Sequence, residues 1–201
     1  MIRVLIAEDQ ALVRGALRAL LDLEEDIEVV AEVGRGDLVV DAARAHRPDV
    51  ALLDIEMPGC DGIEAARALA GAVPECRAVV LTTFGRPGFL RRAMEVGAAG
   101  FLVKDAPVAE LARGIRAVMA GERVIDRDLA AAALALGATP LSAREADVLR
   151  AAADGATVAD IARRLFLSEG TVRNYLSSAI GKAGARTRVE AARVAEEKGW
   201  L

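Results

Sequence analysis

Five short apolar runs punctuate the first half of the chain, near residues 2–7, 27–33, 49–53, 78–82 and 100–103. Each is nearly continuous and closes on a turn signal or a polar residue. Val4-Leu5-Ile6-Ala7 ends in Glu8-Asp9, and Ala78-Val79-Val80-Leu81 ends in Thr82. Runs of this length and bounding predict parallel strands buried on both faces. Between them lie stretches with helical spacing, near 11–22, 37–46, 63–71, 87–97 and 107–120. Pro87 and Pro107 suit the first helical turn. Strand-helix alternation predicts an α/β fold, a doubly wound five-stranded parallel sheet with helices on both faces.

The second half has no strand pattern. It predicts four helices, near 142–154, 158–164, 169–183 and 188–198. Ser142 and Glu145 have the spacing of a capping box for the first, and Gly155 stops it. Ser168 suits the N-cap of the third. The tight connection at Leu165-Phe166-Leu167 predicts a helix-turn-helix, whose second helix enters a DNA major groove. The expected division is a sheet domain over 1–121, a helical linker over 122–140 and an all-α helix-turn-helix domain over 141–201. Within the linker, Leu129 to Leu136 is rich in Ala and Leu, and Gly137 stops it.

Charge supports that division. Residues 1–124 carry a net −5, 125–139 a net −1 and 140–201 a net +2, giving −4 for the chain. An acidic front and a mildly basic back suit different partners. No uncharged apolar stretch approaches the roughly 20 residues of a membrane helix, and the first residues do not read as a signal peptide. Membrane insertion is not expected. Cys60 and Cys76 lack metal-ligand spacing, so they are expected as free thiols in a reducing compartment, the cytoplasm. His46, the one histidine, reads as a charge at a helix C-terminus.

In open α/β sheets, functional groups gather at the carboxyl ends of strands. Four of the runs deliver Glu8 and Asp9, Asp54, Thr82, and Lys104 to one edge. Mg²⁺ takes hard oxygen ligands, which Glu8, Asp9 and Asp54 offer. The metal offsets repulsion between a carboxylate and an incoming phosphoryl group. Asp54 is then a nucleophile that forms an acyl phosphate. Lys104 supplies a charge for a phosphoryl oxygen, and Thr82 a hydroxyl for another.

At these residues the chain resembles the receiver domain of bacterial two-component response regulators, over roughly residues 2–120. The motifs are Glu8-Asp9, Asp54 leading into Met57-Pro58-Gly59-Cys60-Asp61-Gly62, then Thr82, Phe101 and Lys104. The resemblance implies a flavodoxin-like receiver and a further Mg²⁺ ligand at the backbone carbonyl of Glu56. It also implies a switch in which Thr82 moves toward a phosphorylated Asp54 and Phe101 fills the space, against the alternative that Phe101 is plain core. Asp105 stands where this family often has proline, which leaves the isomer of the Lys104–Asp105 bond open.

Residues 140–201 resemble the DNA-binding domain of the LuxR/NarL/FixJ regulators. The matching residues include Leu141-Ser142, Arg144-Glu145, Val148-Leu149, Gly155, Ile161-Ala162, Leu167-Ser168, Thr171-Val172, Lys182 and Ala191. By similarity Arg173, Asn174 and Ser177 face the groove, while Thr171, Ser178 and Lys182 meet phosphates. Several local strings, among them Gly170-Thr-Val-Arg-Asn-Tyr175, are similar to those of the DesR-like subgroup.

The expected function is a DNA-binding response regulator. A sensor histidine kinase phosphorylates Asp54, and phosphorylation promotes homodimerisation on an inverted repeat and transcriptional control. No enzymatic activity is expected beyond self-phosphorylation and dephosphorylation at Asp54. The alternatives are a regulator switched without phosphate, and a phosphatase with an aspartyl-phosphate intermediate. Val189 to Ala195, with Trp200-Leu201 beyond, offers an apolar face for pairing two output domains, or for packing within one.

Overall fold

The structure, a computed structural model, describes residues 1–82, 87–104, 108–126, 129–131, 139–153 and 155–201. The expected helix from Leu129 to Leu136, the helix start at Pro107 and the Lys104–Asp105 bond lie wholly or partly outside these residues. The chain divides into two compact units, Met1–Gly85 with Leu90–Ala130, and Arg86–Phe89 with Ala131–Leu201.

The first unit alternates as expected. Its strands are β1 (Ile2–Ala7), β2 (Ile27–Val33), β3 (Val50–Asp54), β4 (Arg77–Thr82), β5 (Gly100–Val103) and β6 (Val124–Ile125). Between them run α1 (Ala11–Leu21), α2 (Val39–His46), α3 (Gly62–Ala72), α4 (Pro87–Glu95) and α5 (Val108–Met119). The strand order is β2-β1-β3-β4-β5-β6, with every pairing parallel. The sheet therefore has six strands, not five. Two residues assigned from sequence to the linker pair with Gly100 and Phe101, so the expected boundary at 121 falls short of the sheet.

Side chains alternate across a strand, and here both sets are buried. Val4, Ile6, Val50, Leu52, Val79 and Leu81 pack with Leu21 of α1 and Ala112, Ile115 and Val118 of α5. Leu5, Ala7, Ala51 and Leu53 pack with Val39 and Ala43 of α2 and Ala65, Ala66 and Leu69 of α3. Two covered faces leave no polar position in the middle of these strands, only at their ends, as at Arg3, Asp54, Arg77 and Thr82, which is why the central runs are continuous.

The second unit holds α6 (Ala143–Ala152), α7 (Val158–Leu165), α8 (Glu169–Ala183) and α9 (Arg188–Glu197). The capping box at Ser142 and Glu145 is formed, and Ser168 caps α8 by accepting from the Thr171 amide. Val148, Leu149, Ile161, Val172, Leu176, Ala179, Ala191 and Ala195 make the core. Trp200 packs against that core and Leu201 joins it. Those two residues thus take the alternative of packing within their own unit, while Val189 stays exposed.

Candidate metal centre and nucleic-acid interface

The sheet edge collects the expected acids. β1 and β3 run in register, with Ala7 opposite Leu53, so Glu8 and Asp54 leave neighbouring strands at the same level. β4 and β5 end together, with Thr82 opposite Val103, and the Lys104 amide donates to the Thr82 carbonyl at 2.7 Å. Glu8, Asp54 and Thr82 are buried and Asp9 is exposed. Glu8, Asp9 and Asp54 each present a carboxylate oxygen, all within 4.8 Å of one another. Lys104 reaches in from the β5 side. Its Nζ lies 2.5 Å from Glu8 Oε2 and 2.8 Å from Asp54 Oδ1.

The electrostatics follow from this crowding. Burial, joined by the like charge of Asp54, pushes the Glu8 carboxyl above its ordinary range in spite of Lys104. Burial also works against the Lys104 ammonium, but Asp54 and Glu8 outweigh it and hold the proton more tightly than usual. Three carboxylates face one ammonium, a surplus of negative charge that a divalent cation would neutralise. The donors are all hard oxygens, the set Mg²⁺ takes. The residues present therefore fit the ion.

The loop after β3 is folded tightly. Met57 and Gly62 both donate to the Ile55 carbonyl, at 3.2 and 3.0 Å. Glu56 sits in this bend, two residues past Asp54. Gly62 lies so close to Asp54 that an added Cβ would overlap the Asp54 carbonyl oxygen, which explains glycine at that position. Asp61 caps α3 by accepting from the Glu64 amide at 2.7 Å. Phe101 is fully buried.

In the second unit, α8 buries Val172, Leu176, Ala179 and Ala183 and exposes Arg173, Asn174 and Ser177 on its other side. The three residues expected at bases thus share an outward face. Arg173 pairs with Glu169 at 2.5 Å, one turn earlier, an exposed contact of the kind that contributes little. The Thr171 hydroxyl lies 2.8 Å from that of Ser168. Tyr175 is half-buried and packs against the core.

Ser178 and Lys182 have another partner. The buried Glu145 accepts from Ser178 Oγ at 2.6 Å and from Lys182 Nζ at 2.9 and 2.7 Å, besides the Ser142 amide at 2.6 Å. Burial opposes its charge, yet Lys182, Ser178 and Ser142 together hold the carboxyl down to about 2. Sequence reasoning read Glu145 only as a cap, because its partners lie 33 and 37 positions away.

Neither thiol is in a disulfide; Cys60 is partly exposed and Cys76 buried. Burial, then the charges of Asp49 and Glu75, push the Cys76 thiol up to about 12. Among the described residues no helix is long and apolar enough to cross a membrane.

Comparison with known proteins bears on both units. Residues 4–116 match the response regulator receiver domain, and residues 139–195 match the bacterial regulatory proteins of the luxR family. The transcriptional regulatory protein DesR of Bacillus subtilis (strain 168) is 45% identical over 201 residues, covering all of both chains. The response regulator ChrA of a heme-sensing two-component system is 35% identical. That match has a TM-score of 0.59 and covers 100% of this chain and 98% of the other. The response regulator RcsB, in a complex with DNA, is 25% identical with a TM-score of 0.69, covering 98% of each chain.

Proposed function

The chain belongs to the two-component response regulators that act as transcriptional regulators through a LuxR-type DNA-binding domain, and from that premise we propose that Asp54 is its phospho-acceptor. The observation that carries this is the contact of Lys104 with Asp54, beside Glu8, at the carboxyl edge of the sheet.

A carboxylate oxygen of Asp54 attacks the phosphorus of a phosphohistidine on a sensor kinase. The new O–P bond forms as the N–P bond breaks, and the imidazole leaves with the electron pair. Glu8, Asp9, Asp54 and the Glu56 carbonyl would hold Mg²⁺, which supplies charge neutralisation for the transferring group. Lys104 already touches the acceptor carboxylate and is placed to turn to a phosphoryl oxygen as charge builds there. The Thr82 hydroxyl, at the next strand end, donates to another. Beyond this phosphorylation and its reversal, no catalytic turnover is proposed.

In the output unit, Arg173, Asn174 and Ser177 read bases in the major groove. One such helix covers too few base pairs for a genomic site, so two copies related by a two-fold bind an inverted repeat, with half-sites about one helical turn apart. Phosphorylation controls that pairing. Incubation with acetyl phosphate and Mg²⁺, followed by mapping of the labelled residue, tests the reading. Label at Asp54 and tighter self-association are expected; label elsewhere refutes it.

A further inference from the structure

The loop that follows Asp54 is tied to α4 by an ion pair. Arg92 of α4 donates from Nη2 to Asp61 Oδ2 at 3.1 Å, with the two side chains 26% and 34% exposed. The other oxygen of Asp61 holds the α3 cap, accepting from the Glu64 amide. The next residue, Gly62, packs directly on the carbonyl of Asp54. A chain of contacts therefore runs from the acceptor backbone through Gly62 and Asp61 to Arg92. Arg92 has no part in the chemistry described above, yet it is spent on this contact.

We propose that the Arg92–Asp61 pair is a latch, holding α4 to the acceptor loop while Asp54 is unmodified and releasing it when Asp54 is phosphorylated. The proposal rests on the reading of Asp54 as the phospho-acceptor. A phosphoryl group adds roughly 1.5–2 negative charges to the side chain of Asp54, whose backbone carbonyl packs on Gly62, the residue after Asp61. It repels the Asp61 carboxylate. That repulsion loosens the Arg92–Asp61 contact, so the charge change at Asp54 biases α4 without any residue of α4 entering the site. Arg92 is a positioning residue in this scheme, since it acts through Asp61.

The direct readout is hydrogen–deuterium exchange of the α4 backbone in the full-length protein. Arg92→Gln removes the cation. Asp61→Asn removes the anion but keeps the capping oxygen, because asparagine caps as well as aspartate. Without phosphate, each variant should speed α4 exchange about two- to five-fold, the range for a partly exposed pair. The double variant should go no further than either single. Acetyl phosphate should speed α4 exchange in the parent chain and add little in the variants. Unchanged α4 exchange in the variants, additive effects in the double, or an undiminished response to acetyl phosphate would each overturn the latch. Mapping of the phosphorylated residue on the parent chain reads the acceptor separately. Failure of the acceptor assignment would show there, while the phosphate-free comparison still decides whether the pair restrains α4.

Discussion

Lys104 Nζ lies 2.8 Å from Asp54 Oδ1. A cation beside the acceptor carboxylate, placed to neutralise an incoming phosphoryl group, is the reason Asp54, and not the neighbouring Asp61, should carry it. Asp61 spends its oxygens on the α3 cap and on Arg92. Asp54→Asn keeps the shape of the side chain and removes the nucleophile. No phosphate should be incorporated from acetyl phosphate, while circular dichroism stays that of the parent. Undiminished labelling of the variant would contradict the assignment.

Mg²⁺ should stabilise the receiver. Binding to the folded state alone at ten times the dissociation constant adds about 1.4 kcal/mol, enough to raise the melting temperature by several degrees. Asp9 is exposed, so Asp9→Ala should abolish that shift with little damage to the metal-free fold. Equal shifts in parent and variant would remove Asp9 from the ligand set.

Gly62 and Gly71 lie on the same helix and should respond oppositely to alanine. At Gly62 the new methyl meets the Asp54 carbonyl, and overpacking of this kind costs about 1–3 kcal/mol. At Gly71 nothing lies within 4 Å, and Gly71→Ala should stabilise by about 0.5–1 kcal/mol through helix propensity. Denaturant melts of the two variants give both signs in one experiment.

The output unit should lose stability in acid through Glu145. Its carboxyl is held at about 2 in the folded chain against an ordinary 4.5. An acid depressed in this way contributes stability that is complete above the unfolded value. That contribution drains as pH falls from about 4.5 through about 2. Glu145→Gln should therefore be less stable near neutrality and should flatten this part of the profile. A parent-like slope in the variant would assign the acid loss to other groups.

Salt dependence separates the two kinds of residue on α8. A lysine that neutralises a phosphate contributes about 0.9 to the slope of log affinity against log salt. Lys182 is committed to Glu145, so Lys182→Met should leave that slope unchanged even where affinity falls. Arg173→Ala should cost about 1–3 kcal/mol and relax base preference at one position. A fall of nearly one unit in the slope for Lys182→Met would restore it to the phosphate backbone.

The strands were legible because burial on both faces writes itself as an unbroken apolar run, and their polar endings marked the acidic edge. Local signals also carried the caps: Ser142 with Glu145, and Ser168, are short-range hydrogen bonds between residues three apart. What stayed hidden was long-range or slight. β6 is two residues long, too short to show a period. The Glu145–Lys182 and Arg92–Asp61 pairs join positions 37 and 31 apart, and nothing in a single sequence couples such positions. Ser178 and Lys182 read as phosphate contacts, and polarity on a recognition helix does not reveal that both side chains also reach Glu145.

β6 bears on how the sheet unit can be isolated. A fragment ended at Gly121 would strip the partner from Gly100 and Phe101 and turn β5 into a bare edge beside a buried aromatic ring. Unpaired edges of that kind template aggregation. Expression fragments should therefore run past Ile125, and the shorter ones should be recovered mainly from inclusion bodies or as soluble oligomers by gel filtration.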